Sequence, residues 1–599
     1  MSERTDAERS DLDATVLLPV ATGAIDGPRS VPYDPDATVI LPAPPESPEG
    51  AAAAGPHLGT HGPDLDSTGT VARNSLTMAV GSLVSRGTGF VRTAVIGAAI
   101  GAAAVADDYT LANTLPNMVY ELLLGGVLAS VIVPLLVRAR RAEPDGGEVY
   151  TQRLLSLATI CVGGATVVAV ACAPLLTWLM ASRSPAADRH LITTLGYLLL
   201  PEIFFYGLAA LLAAVLNTRG HFAAPMWTPI LNNIVVIVTA VVFMLLPSRG
   251  LRPESLTAAQ ILVLGLGTTL GIVAQAAGLV PALRKVHFRW RWRWDFGALR
   301  LRELGRMSGW MLGYVVVSQI SVVVVLKLAK LAGNQGGPGP AIYNNAFLIF
   351  MMANGIVAVS IATALMPRMS AAAADRRYPE MADQLSFGVR LTAVVLIPVT
   401  AAYLVLGRPL AYTLFRWHNY TAEQAVATGT VIAVAGLGLM PFAVSQLQNA
   451  AFYALADTRV PALVNVPVVV LRIAADVALY LLLPAALVTA GLMLGTALSY
   501  LAAVVLLSWL LRRRIGRLGL SRIVRTVVRL TIAAVVASVP ALLVVVTLGR
   551  IVGYGKVGSV VQLVLGGAVL VAVYLAVAIT LRVREVRELT AMVRTRLGR

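Results

Sequence analysis

The chain is 599 residues long, 57% hydrophobic and only 13% charged, which excludes an ordinary soluble protein, where about a quarter of residues are charged. Its net charge of +17 is unevenly split: residues 1–72 hold twelve acidic residues against three arginines and stand at −9, leaving the remainder at +26. A basic excess carried by the apolar part points to loops facing anionic lipid, not to a nucleic-acid surface. Cys161 and Cys172 alone make neither a disulfide framework nor a Cys metal site.

Residues 1–72 are rich in Pro, Gly, Ala and acids without helical periodicity, and read as a disordered acidic tail. The tail contains a repeat, Asp13-Ala14-Thr15-Val16-Leu17-Leu18-Pro19 and Asp36-Ala37-Thr38-Val39-Ile40-Leu41-Pro42. In each copy a threonine stands three residues before a leucine, an arrangement that resembles what forkhead-associated domains read once the threonine is phosphorylated. Thr15 and Thr38 are therefore candidate sites for a Ser/Thr kinase, with a forkhead-associated partner; the alternative is a duplicated low-complexity stretch with no partner.

From residue 73 on, apolar runs long enough to cross a bilayer as helices recur fourteen times. They lie at 74–102, 107–137, 154–181, 191–216, 223–247, 257–283, 305–332, 341–370, 386–407, 424–453, 460–484, 486–511, 525–548 and 557–581. Arginines cluster in alternate connections, around 138–141, at Arg219, across 284–302 and 368–377, at Arg459, across 512–522 and after 582; the other connections carry at most two basic residues each. By the positive-inside rule both termini are cytoplasmic. Val133-Pro134 is echoed by Met366-Pro367 after 233 residues, and Asn217-Thr218-Arg219 by Asp457-Thr458-Arg459 after 240. Six spans per period give two halves of the same orientation.

The expected organisation is an all-α polytopic membrane protein. A tail (1–72) precedes an N-lobe of six spans (73–284), a basic Trp/Arg linker (285–303) and a C-lobe of six spans (304–511). A helix pair (512–581) and a basic tail (582–599) follow. In the linker, Phe288 to Trp294 alternates Arg and Trp, which suits the headgroup region.

Charged groups inside apolar spans usually mark a transport pathway. Span one holds Arg86 and Arg92 with Gly87 and Gly89 between them. Six residues place them about 120° apart on an ideal helix, so a bend is needed for both to face one cavity. Two converging guanidiniums suit a phosphate or pyrophosphate; the alternative has them paired with Asp107, Asp108 or Glu121. In span seven Lys327 lies deeper and reads as a cavity cation, whereas Lys330, near the outer end, reads as a snorkelling lysine. Arg472 and Asp476 are spaced as an intrahelical pair. Glu202 is either a proton or cation site or a buried protonated acid. There is no P-loop, no Gly-x-Ser-x-Gly elbow and no His ligand spacing, so the chain reads as a transporter without a cofactor, not as an enzyme.

Ser85-Arg86-Gly87-Thr88-Gly89-Phe90-Val91-Arg92, then Asp107, Leu115-Pro116-Asn117, Gly126 and Val133-Pro134, resemble the opening of the MurJ (MviN) family of lipid II flippases. Leu216-Asn217-Thr218, Phe222, Pro225, Pro229 and Asn232, and Ser318-Gln319-Ile320-Ser321 in span seven, resemble it too. The resemblance covers residues 73–581, including two spans that the related MATE multidrug exporters generally lack. It implies two six-helix lobes, a final helix pair forming a groove for the lipid tail, and a central cavity that moves the cell-wall precursor outward across the bacterial cytoplasmic membrane by alternating access. Arg86 and Arg92 match the family's helix-one arginines and Asp107 its helix-two aspartate, with Ser85, Asn117 and Gln319 among the motif residues that would line the substrate site.

The chain departs from proteobacterial members at Tyr120, Leu348 and Met351, where those carry charged residues, and Lys327 is the candidate replacement cation. Some members are thought to use a sodium site near Asp476, where Arg472 one turn earlier would compete with a cation. The energy source expected is membrane potential or an ion gradient. The rival readings are an exporter of another lipid-linked oligosaccharide, a MATE-like ion-coupled drug exporter, and a transport-inactive scaffold for cell-wall regulators.

Overall fold

The computed structural model describes residues 68–587 except 122–134, 137–138, 141–142, 144, 248–249 and 299–300. The tail repeat with Thr15 and Thr38, Gly126, Val133-Pro134, Arg138, Arg141 and the basic tail beyond 587 lie outside the described residues.

Among the described residues all regular structure is helical. The first half comprises α1 (Thr68–Ile100), α2 (Ala104–Tyr120), α3 (Glu148–Ala171), α4 (Ala173–Ala181), α5 (Ala186–Leu199), α6 (Glu202–Thr218), α7 (Ala223–Leu245), α8 (Ala258–Ala277) and α9 (Val280–Lys285). The second comprises α10 (Leu301–Asn334), α11 (Pro340–Ala374), α12 (Tyr378–Phe415), α13 (Ala422–Ala454), α14 (Arg459–Leu482) and α15 (Ala485–Ile515). The final pair is α16 (Leu520–Val552) and α17 (Lys556–Thr580).

Among the described residues, twelve helical segments are long and apolar enough to cross a membrane. The two remaining sequence spans correspond to α1, which carries Arg86 and Arg92, and α2, which carries Asp107 and Asp108. The arginines of α1 lower its apolarity, and the rest of the second span, from 122 on, lies largely outside the described residues; fourteen spans remain consistent with this architecture. Three spans are broken: the third at Cys172, the fourth before Pro201 and the sixth at Leu279. Pro174, Pro201 and Pro281 stand at or beside the restarts, where a missing N–H costs nothing.

The internal repeat recurs in the packing. α1 packs on α7 as α10 packs on α14, and α7 on α8 as α14 on α15. The broken fourth span (α5–α6) packs on α2, α3 and α8 as the unbroken α13 packs on α11, α12 and α15. The final pair packs together and against α12.

The two ends of the bundle differ. At the end where α2, α5, α11 and α15 begin, called here the far face, one continuous apolar core joins both halves, from Leu111 and Leu195 to Ala332, Ile342 and Tyr420. At the near face each half keeps its own core, one around Leu155, Leu216 and Phe288, the other around Met369, Phe452 and Leu511.

Candidate functional site

Between the halves lies a cavity of about 370 Å³ whose walls are unusually polar for a membrane bundle. α1 brings Arg92 to it, α2 brings Asn113 and Asn117, α10 brings Gln319, α11 brings Asn344 and Asn345, and α14 brings Arg472. Gln319 donates to Glu121 Oε2 at 2.5 Å, and Asn117 donates to the Asn113 carbonyl at 3.0 Å. Arg472 donates to Tyr343 Oη at 3.1 Å and to Ser321 Oγ at 3.3 Å. The Nε of Arg92 and the Nε of Arg472 are both buried without a hydrogen-bond partner. Two guanidiniums with spare N–H groups at one cavity suit a doubly charged oxyanion.

The predicted site residues divide. Arg92, Asn117 and Gln319 line the cavity. Arg86 is not among its lining residues: it is exposed, six residues nearer the start of α1, and its guanidinium lies against the backbone of Gly355 on α11, in space that any larger residue would fill. The main-chain oxygen of Ser85 accepts from Asn233 Nδ2 at 3.1 Å, so what the structure uses there is backbone that pins α1 to α7. Lys327 is half-buried and is not among the cavity's lining residues.

Asp107 lies at the far face, 4% exposed, accepting from the Ala341 N–H at 2.9 Å where α11 starts. Around it runs a polar seam between the halves. Lys330, read from the sequence as snorkelling, is instead 2% exposed and donates to Asp108 Oδ1 at 2.6 Å and Asp188 Oδ2 at 2.7 Å. It stays inside because two carboxylates of the first half hold it there. Asn334 donates to Ser184 Oγ at 3.0 Å, the Asn419 side chain to the Ala99 carbonyl at 2.8 Å, and the Ala102 N–H to Gln424 Oε1 at 3.1 Å.

Arg472 is the one charged cavity residue the sequence reading misplaced, beside the unnamed Asn113, Asn344 and Asn345. Asp476 one turn on supplied a local partner, yet the pair is loose, with Nε 3.8 Å from Oδ2. The guanidinium reaches past it to α10 and α11, which no spacing on α14 reveals. A tyrosine and a serine on the flanking spans were the available signal. Asp476 is fully buried with neither carboxylate oxygen hydrogen-bonded. Among the described residues no group of three His, Cys, Asp or Glu is placed to hold a metal. The guanidinium beside Asp476 already brings the positive charge a cation would supply, so these side chains do not fit a cation site and no step is routed through one. Glu202 is buried and accepts from Thr269 Oγ1 at 3.3 Å; it is not among the cavity's lining residues but lies within electrostatic reach of Arg92.

The chain is 26% identical over 405 residues to the lipid II flippase MurJ of Burkholderia cenocepacia, covering 66% of this chain and 76% of that one. It is 27% identical over 398 residues to a probable lipid II flippase MurJ of Vibrio cholerae, covering 63% and 72%. A solved structure of lipid II flippase MurJ in an inward closed conformation superposes with a TM-score of 0.66 at 17% identity, over 88% of this chain and 100% of that one. An inward-facing multidrug MATE transporter superposes at 0.51 with 14% identity, over 76% and 96%. These two likenesses concern the fold. The sequence model of the family described as lipid II flippase MurJ matches residues 96–566, and the chain belongs to that family.

Proposed function

We propose that this chain carries lipid II from the inner to the outer leaflet of the cytoplasmic membrane by rocking its two halves about the closed cavity. The observation that carries the reading is the pair of cavity guanidiniums, Arg92 from the first half and Arg472 from the second. A pyrophosphate bridging them gains charge-assisted hydrogen bonds from both halves at once, which stabilises their closure around it. Asn117 and Gln319 offer amides to the same ligand, and Arg86 on the near side of α1 meets the phosphates before the cavity does. Cavities of about 300 to 1,000 Å³ hold drug-sized ligands, so 370 Å³ is too small for a whole sugar-peptide headgroup and the near face must open to admit it. A drug exporter of the MATE kind calls for a less basic cavity.

In this reading the arginine-rich connections put the near face and both termini in the cytoplasm, anionic lipids meet them there, and membrane potential or an ion gradient drives the cycle without a cofactor. Phosphorylation of Thr15 and Thr38 recruits a forkhead-associated partner to the tail.

The test is rescue of a flippase-depleted bacterium. Arg92→Ala and Arg472→Ala each remove charge-assisted contacts worth roughly 1.5 to 3 kcal/mol and are expected to abolish rescue with normal membrane insertion. Rescue by both variants at wild-type levels refutes the reading.

A further inference from the structure

A second cavity, of about 700 Å³, opens on the near face of the first half between α6, α9 and the linker. Its floor is apolar, made by Leu208, Leu212, Val280 and Leu283, and its rim is basic, made by Arg284, His287 and Arg289 with Trp290 beside them. The rim is a built structure. α9 ends with the Phe288 N–H bonded to the Leu283 carbonyl at 3.2 Å and the His287 N–H to the Arg284 carbonyl at 3.1 Å, which requires His287 at φ 56, in the left-handed region. Phe288 is buried under the Arg219 guanidinium, 4.7 Å above its ring, and Arg219 also donates to the Val286 carbonyl. Gln152 on α3 donates to the Arg289 carbonyl at 2.8 Å and accepts from Arg293 Nε at 3.0 Å.

The backbone is thus fastened to α3 and α6 while the rim side chains are left over. Among the described residues, the acids of this region are committed elsewhere, Asp295 to Arg153 and Glu148 to Gln152, and Arg284, His287 and Arg289 form no ion pair. Trp292 and Trp294, 56% and 72% exposed, continue a ring ladder from Trp290 at centroid spacings of 5.3 and 6.3 Å.

Unpaired guanidiniums beside an imidazole above an apolar hollow, flanked by exposed indoles, match the chemistry of a bilayer interface: phosphate for the guanidiniums, hydrocarbon for the floor, headgroup level for the rings. We propose that this cavity binds one anionic phospholipid of the surrounding membrane, its headgroup phosphate on Arg284, His287 and Arg289 and the start of an acyl chain on the Leu208–Leu283 floor. A free phosphate would satisfy the rim and leave the floor facing water, so the lipid is the better match. The site depends on the chain being embedded in a membrane and not on which lipid it transports, so it stands or falls separately from the flippase reading.

The test uses the full chain, stripped of lipid in detergent and supplied with phosphatidylglycerol or phosphatidylcholine, with bound lipid read by native mass spectrometry. Wild type is expected to retain one phosphatidylglycerol that Arg284→Gln/Arg289→Gln loses, with about fivefold weaker retention per charge removed and so about 25-fold for both. Arg284→Lys/Arg289→Lys keeps the charge and is expected to keep most of the retention. Phosphatidylcholine should bind wild type and variants alike, and inorganic phosphate should not displace the anionic lipid. Undiminished retention in the Gln variant, equal loss in the Gln and Lys variants, or displacement by inorganic phosphate overturns the proposal.

Discussion

Lys330 shows how much one side chain can commit the molecule. It lies at 2% exposure between Asp108 and Asp188, and Asp108 Oδ2 has no other partner. Removing the lysine leaves two buried carboxylates without a counter-charge, a loss of about 3 to 5 kcal/mol. Lys330→Met is therefore expected to lower the thermal unfolding midpoint of the purified protein, and adding Asp108→Asn and Asp188→Asn should recover most of the loss; unfolding of the single variant at the wild-type temperature would show the cluster to be inert. Lys327→Gln, at a half-buried site off the cavity, should change the midpoint little. The sequence ranks these two lysines the other way round, because depth along a helix measures distance from water and not the identity of neighbours. Asp188 is 142 residues from Lys330. Arg92 was readable for the opposite reason, since a charged residue inside an apolar span has to face something polar, whatever that turns out to be; Asn117 and Gln319 were legible only through the family motifs that contain them.

At the scale of elements, α11 is placed by what happens before its first turn. Its start holds Asp107 from α2 against the positive end of the helix, and a side chain on Gly339 would occupy the space of that carboxylate. Gly339→Ala should push Asp107 off the Ala341 N–H and loosen the seam. In a background of Cys161→Ala and Cys172→Ala, a Ser184→Cys probe should then react roughly tenfold faster with a membrane-impermeant maleimide, the equivalent of about 1.4 kcal/mol. Equal labelling with and without the substitution would remove Asp107 from any sealing role. Hydropathy located the twelve spans found among the described residues but not the full helices. α12 runs Tyr378–Phe415 where the apolar run covers 386–407, and α16 runs Leu520–Val552 where it covers 525–548. Helix continues beyond the hydrocarbon because its backbone bonds close as well in the headgroup layer, where charged residues are tolerated. The breaks were equally invisible to a window that averages over them, although Pro174, Pro201 and Pro281 mark all three.

On the scale of the molecule, one apolar core joins the halves at the far face and separate cores serve them at the near face; with the orientation proposed above, this is the arrangement expected of a transporter closed to the outside. Asn334 and Ser184 face each other across the seam from different halves. With cysteines at both positions in the Cys161→Ala, Cys172→Ala background, a short cleavable thiol cross-linker should stop flipping in reconstituted vesicles, and reduction should restore it. A cross-linked protein that flips at the untreated rate would rule out rocking about this seam. The repeat of the halves was readable because two motif pairs recur at nearly the same spacing, Val133-Pro134 and Met366-Pro367 after 233 residues and Asn217-Thr218-Arg219 and Asp457-Thr458-Arg459 after 240. Which ends of the halves meet was not, since no residue pattern within a span reports the tilt of its neighbour.

The fastening of the linker to α3 also sets a mechanical limit. Gln152, Ser156 and Arg153 tie Arg289, Arg293 and Asp295 to the first half, so the covalent leash between the halves is only the chain from Asp295 to Leu301, where α10 begins. Six residues at full stretch reach about 20 Å. However the halves swing, these two attachment points stay within that radius. The leash acts as a doorstop on one side of the near face and leaves the widest aperture for an entering lipid on the opposite side.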